Sequence, residues 1–146
     1  MTDEQLRRFQ AKTVMGSLFS GTPCWLWTSS KTPDGYGKTS LRRKTLLAHR
    51  VSFEHAVGSI PQGMELDHLC RNRACVNPEH LEIVTRRINQ IRGSGFVAMN
   101  VSKTACKSGH PFDLYNTYWR SNGHRGCRAC NREAVRRYTE RRRGVA

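Results

Sequence analysis

The sequence predicts an α+β fold: a small metal-braced core running strand, loop, strand, helix, set beside an antiparallel sheet and followed by a small C-terminal metal-binding module. Three observations carry this expectation. Met64, Leu66 and His68 alternate with Glu65 and Asp67, the period of a short half-buried strand, and Leu81 and Ile83 alternate with Glu82 and Val84 as a second. Thr85 then offers a side-chain cap to a helix in which Ile88 and Ile91 are expected to pack inward and Asn89, one turn in, to face the strands. Finally, every cysteine but Cys24 falls beside a histidine or another cysteine at ligand spacing, and a chain of 146 residues buries only a modest core, so metal staples are expected to supply what packing does not.

Taken in order, Thr2 to Phe19 is predicted as a helix, with Thr2 and Gln5 at capping-box spacing and Leu6, Phe9, Val14 and Leu18 forming an imperfect apolar stripe. Ser20-Gly21-Thr22-Pro23 ends it. CWLWTSS from Cys24 reads as a strand with Trp25 and Trp27 on one face, assigned to packing, and Cys24 and Leu26 on the other. Thr32-Pro33-Asp34-Gly35-Tyr36-Gly37 is a turn, and Lys38 to Leu41 and Thr45 to Ala48 are further strands about the basic tip Arg42-Arg43-Lys44. His49 to Val57 reads as a helix ended by Gly58, and Ile60-Pro61-Gln62-Gly63 leads into the strand that carries His68. Residues 1–92 are thus expected to form the core, 93–104 (GSGFVAMNVSKT) a linker, and 105–146 a separate module.

Charge points to a polyanionic partner. The 25 lysines and arginines outweigh 11 acids for a net +14, and Val101 to Ala146 alone holds 11 basic and 3 acidic residues, a balance of +8. No apolar run approaches the roughly 20 residues a bilayer requires, and the N-terminal MTDEQLRRF carries acids and no signal-peptide apolar core. An intracellular, cytoplasmic protein that is not secreted and does not enter a membrane is expected, and in a reducing compartment its cysteines are ligands rather than disulfides.

The C-terminal module shows its metal set by spacing alone. Cys106-Lys-Ser-Gly-His110 and Cys127-Arg-Ala-Cys130 are two close ligand pairs across sixteen residues, a zinc pattern, with Asn116 to Trp119 and Ser121-Asn122-Gly123 predicting a hairpin between them. After Cys130, NREAVRRYTERRR has helical propensity and six arginines, suited to lying along phosphates.

His49-Arg50, Asp67-His68, His80-Leu81 and Asn89 together resemble the HNH endonuclease superfamily, the phage and homing-endonuclease branch of which runs HR, DH, an NL or HL strand and an Asn in the helix. The steps from His68 to Cys70, Cys75, His80 and Asn89 are also similar to the His-Cys box homing endonucleases, in which zinc braces the same ββα-metal core. One departure stands out: the middle letter of the HNH pattern is His80, where an orienting Asn is usual. The resemblance implies that Cys24, Cys70, Cys75 and His80 form a structural Cys3His zinc site. Cys24 enters this set through the resemblance and because no other cysteine is left, and a buried free thiol is the alternative reading.

What the resemblance implies chemically is phosphodiester hydrolysis to 5′-phosphate and 3′-hydroxyl ends, with double-stranded DNA as partner and a monomer or homodimer as the acting form. A histidine titrating near about 6.5 suits the base that takes the proton of water, and this is assigned to His68. Asn89, and Asp67 although strand alternation turns it away from His68, offer hard oxygens to Mg2+ or another divalent ion at the leaving oxygen. Arg50 is either a phosphate clamp or a helix-terminal salt bridge. His49, His55 and His124 receive no role. The rival expectation is a catalytically silent zinc-containing DNA-binding or regulatory protein. Homing, DNA packaging and restriction are all compatible with the enzymatic reading.

Overall fold

The structure, a computed structural model, describes residues 1–41 and 43–144. Arg42 of the expected basic tip and the last two residues of the expected C-terminal module lie outside them. The chain divides into two compact units, Met1–Arg92 and Gly93–Ala146. It is a mixed helical and antiparallel protein, and among the described residues no helix is long and apolar enough to cross a membrane.

The first unit opens with α1 (Asp3–Gln10), capped reciprocally by Thr2 and Gln5: Thr2 Oγ1 accepts from the Gln5 N–H at 3.3 Å and Gln5 Oε1 accepts from the Thr2 N–H at 3.0 Å. The helix does not continue to Phe19 as the apolar stripe predicts. Thr13–Phe19 is β1, antiparallel to β2 (Thr22–Trp27) in the register Thr13↔Trp27 and Phe19↔Thr22, with an irregularity between Met15 and Leu18. Pairing overrides a weak helical period here: Val14, Met15 and Leu18 are exposed, and Gly16 lies flat against Leu26, whose Cδ1 would stand 2.6 Å from any Cβ added there. Trp27 is buried among Phe9, Ala48, Val51 and Val76, with Trp25 packed at the edge, so both tryptophans are packing groups.

The predicted turn closes through Thr32 and Tyr36, whose backbones bond at 2.8 Å, with Gly35 at φ 91°. β3 (Lys38–Leu41) and β4 (Lys44–Leu47) form a hairpin of their own, and α2 (Ala48–Ala56) follows, starting one residue before expectation. The strands do not merge into the single small sheet predicted. Each hairpin is a separate two-stranded ladder.

β5 (Met64–His68) and β6 (Leu81–Thr85) pair antiparallel from Met64↔Thr85 to His68↔Leu81, and α3 (Arg86–Arg92) follows directly. Leu66 and Leu81 bury with Phe53 beneath them. Thr85 Oγ1 accepts from the Ile88 N–H at 3.3 Å, the expected cap. The inward packing expected of Ile88 and Ile91 is not found: Ile88 is 41% exposed and α3 buries no residue. Polar contacts to β5 and β6 hold this short helix instead.

In the second unit, Phe96–Ser102, inside the segment expected as linker, is helix α4 with Gly95 as its cap; FVAMNVS holds no glycine or proline to oppose one. β7 (Thr117–Trp119) and β8 (Arg125–Cys127) form the predicted hairpin, and α5 (Arg128–Arg143) begins at once, capped by the sulfur of Cys127.

Candidate active site and metal centres

His68 ends β5 and is 5% exposed. Its Nε2 lies 3.1 Å from the Cys75 carbonyl oxygen, which can only accept, so Nε2 carries the proton of the neutral ring and Nδ1 keeps a lone pair. Burial pushes the ring below the ordinary histidine value, against the raising effects of the Cys75 carbonyl and Asp67, and Arg73 and Arg71 add to the lowering. The ring edge meets His49, at 4.7 Å between centroids and 64° between planes, and Tyr36 packs against both, 5.4 Å from His49 and 5.7 Å from His68. Arg73 covers Tyr36 at 5.4 Å. His49 is itself buried with no hydrogen-bond partner for Nδ1 among the described residues, and burial, then the charges of His68 and Arg50, push it down to about 3.

Glu65 and Asp67 share the opposite face of β5. Asn89 reaches this face from α3, its Nδ2 donating to Glu65 Oε2 at 2.7 Å. A carboxylate only accepts, so this bond fixes the amide and leaves Oδ1 as an acceptor. Asp67 is 4% exposed; Oδ1 accepts from Arg71 Nη1 at 2.8 Å, while among the described residues Oδ2 has only Arg92 at 3.5 Å and no hydrogen bond. Arg92 is shared with Glu82. Arg50, on α2, makes no side-chain hydrogen bond or ion pair among the described residues, so the helix-terminal salt bridge is not formed there.

Cys24 of β2, Cys70 and Cys75 of the loop, and His80 at the end of the 3₁₀ turn Pro78–His80 converge with their ligand atoms all within 4.8 Å of one another. His80 Nδ1 stands 3.5 Å from the sulfurs of both Cys24 and Cys75. Zinc with arms of about 2.0–2.3 Å has tetrahedral edges of about 3.5–3.8 Å, so these separations fit one ion. His80 Nε2 meets Thr22 Oγ1 at 2.9 Å and that hydroxyl donates to the Phe19 carbonyl, which orients the ring and leaves Nδ1 as the nitrogen that could take a metal. Burial raises both the Cys24 and Cys75 thiols, Cys75 to about 12 with the neighbouring thiols adding.

The second set is Cys106, His110, Cys127 and Cys130, again within 4.8 Å. His110 Nδ1 is 3.5, 3.8 and 3.3 Å from the three sulfurs in chain order, and Cys106 and Cys130 are 3.6 Å apart. Cys127 is lowered to about 6, first by the Cys130 backbone N–H and also by the Asn116 side chain. Each set could hold a tetrahedral zinc ion.

Residues 46–91 match the family model described as HNH endonuclease. Over 78 residues the chain is 37% identical to the uncharacterized gene 5.3 protein of Enterobacteria phage T3, an alignment covering 49% of this chain and 77% of that one. The chain belongs to the HNH endonuclease family. It is also similar to two Escherichia phage T7 proteins: protein 7.7, 33% identical over 66 residues and 45% of this chain, and protein 2.8, 37% identical over 68 residues and 45% of this chain. These alignments span about half the length of each T7 protein, 51% and 45%. No solved structure matches.

In this HNH protein, His49, Asp67, His68 and Asn89 gather on or beside β5, and the four cysteine and histidine side chains of each candidate set lie close enough together to hold one ion. Several contacts have no counterpart in the sequence expectation. Tyr36 and Glu65 touch His68 and Asn89 across long chain separations, and no local pattern marks them. Asn77, also missing from that expectation, caps the turn at Pro78: its Oδ1 accepts from the Glu79 N–H at 3.0 Å, while Nδ2 donates to the Pro23 carbonyl at 2.9 Å and ties the loop to β2.

Proposed function

We propose that this protein is a metal-dependent DNA endonuclease that hydrolyses phosphodiester bonds to 5′-phosphate and 3′-hydroxyl ends, braced by zinc at both cysteine–histidine sets. The observation that carries the reading is the 3.1 Å contact of His68 Nε2 with the Cys75 carbonyl, an acceptor that holds the N–H of the neutral ring and so leaves Nδ1 as a base. From there His68 takes the proton of the attacking water, and burial, which lowers its affinity for a proton in the resting state, keeps it in the base form at neutral pH. Arg50, free of any internal acid partner among the described residues, supplies a planar donor to a phosphate oxygen.

The residues fit a catalytic divalent ion. Asp67 Oδ2 is a buried carboxylate oxygen without a hydrogen bond among the described residues, and Asn89 is held by Glu65 so that its oxygen stays available. Asp67 and Asn89 would hold the ion, hard oxygen ligands suited to Mg2+ or a similar metal. When bound, such an ion supplies Lewis-acid stabilisation of charge on the departing 3′-oxygen. Arg71 and Arg92 neutralise Asp67 otherwise, and Glu65 is a positioning residue through Asn89.

Incubating the protein with supercoiled plasmid and Mg2+ tests the reading. Nicked circles that DNA ligase reseals are expected, appearing before linear product, since one centre cuts one strand. Intact plasmid that the protein nonetheless binds would identify a catalytically silent DNA-binding protein instead.

A further inference from the structure

In the second unit, a cavity of about 730 Å³ opens beside the metal set, walled by Cys106, Cys127 and Cys130. Four cationic side chains line it, Lys103, Lys107, Arg120 and Arg125, together with His124, and among the described residues no acidic one does. Two aromatic rings complete it. Arg125 stacks its guanidinium 3.9 Å above Phe112 and donates to the Asn100 carbonyl, which fixes a flat cationic platform. Tyr118 lies over its register partner Gly126, where any side chain would run into the ring.

We infer that this cavity binds unpaired nucleotides of single-stranded DNA. Its charge selects a phosphodiester, and its size decides which form. A volume of about 730 Å³ takes one or two unpaired nucleotides but not a duplex, in which two paired strands flank a major groove that alone is about 12 Å wide. Planar guanidinium and aromatic faces beside cations are the means by which unpaired bases are held without regard to sequence. Helix α5 takes part only through its first turns, where Cys130, Asn131 and Ala134 line the cavity, whereas Arg136 and Arg137 further along are paired with Glu133 and Glu140. The cavity binds by its own chemistry, whether or not the first unit cuts DNA.

The test uses the zinc-loaded full chain carrying His68→Ala, with fluorescence anisotropy on a 12-nucleotide single strand and a 20-base-pair duplex across a salt series. Replacing exposed Lys107 and Arg120 by Gln is expected to weaken single-strand binding about tenfold or more and to flatten its salt slope by about 1.4, roughly 0.7 for each charge. Duplex binding is expected to change less than about twofold. Arg141→Gln with Arg142→Gln removes equal charge from α5 and is expected to spare the single strand. Gly126→Ala displaces the Tyr118 ring with no change of charge, and is expected to weaken single-strand binding with zinc content retained. Unchanged single-strand affinity in the Lys107/Arg120 variant overturns the proposal, as does equal loss in the α5 variant or equal loss on duplex. Absence of plasmid cleavage by the wild-type chain leaves these binding results intact and counts against the nuclease reading alone.

Discussion

Replacing His49 by Phe isolates the energetic consequence of burying a neutral histidine against His68. The ring is 4% exposed, its Nδ1 has no partner among the described residues, and it is pushed down to about 3. An unfolded histidine titrates near about 6.5. Between these values the unfolded chain binds a proton that the folded chain refuses, so stability is highest above pH 6.5 and falls as pH drops through the window. At pH 5.5 this favours the unfolded state by about 1.4 kcal/mol, against less than about 0.1 kcal/mol at pH 7.5. Any native value below about 4.5 gives nearly the same figure. Phenylalanine keeps a ring edge for His68 and loses no hydrogen bond, so His49→Phe should be near neutral or stabilising at pH 7.5. Its lead over wild type should then grow by about 1.4 kcal/mol at pH 5.5, about 6–11 °C in midpoint for a unit of this size. Thermal unfolding followed by tryptophan fluorescence reads this, and taking the difference between the two proteins cancels zinc loss and the titration of His68. A lead that stays constant with pH would refute the argument, because it would mean His49 is protonated in the fold.

Other perturbations separate the remaining parts. Asn89→Ala and Glu65→Gln should both slow cleavage and raise the Mg2+ concentration at half-maximal rate, with Glu65→Gln the milder because it only loosens the Asn89 amide; an unchanged Mg2+ midpoint in both would remove the ion from this face. Elemental analysis should find two zinc ions per chain, Cys70→Ser and Cys127→Ser each losing one, and only the Cys70 change should abolish cleavage along with stability of the first unit; less than one zinc in the wild type would refute both sites. Arg141→Gln with Arg142→Gln should flatten the salt dependence of duplex binding by about 1.8 if both contact phosphates, and an unchanged slope would make that end of α5 a solvated face.

The β5–β6–α3 unit was legible because its signals are local. Alternation places Leu66 and His68 on one face and Glu65 and Asp67 on the other, and Thr85 caps the helix whatever packs around it. The metal sets were legible for the same reason, with Cys24 the exception: it lies far along the chain from its partners and was reached through family resemblance. The failures come where partners decide. Thr13–Phe19 carries an apolar stripe that reads as helix, yet the fit of Gly16 against Leu26 and the pairing with β2 make it a strand. Ile88 looked like a core residue by period, but α3 is anchored to the strands by Asn89–Glu65 and by Arg92 with Glu82 and Asp67, leaving the isoleucine exposed. Tyr36 and His49 sit beside His68 only because the turn at Gly35 and the start of α2 meet there, a convergence no sequence period encodes.

Whether His68 is the base of a hydrolytic site is read by single-turnover cleavage of supercoiled plasmid, with wild type and His68→Ala compared at equal zinc content. Loss of one positioned base costs about 10²–10⁴ in rate. The expected loss lies in that range, with DNA affinity within about twofold of wild type, since the imidazole is assigned only to the proton of water. Cleavage by His68→Ala at the wild-type rate would contradict that assignment.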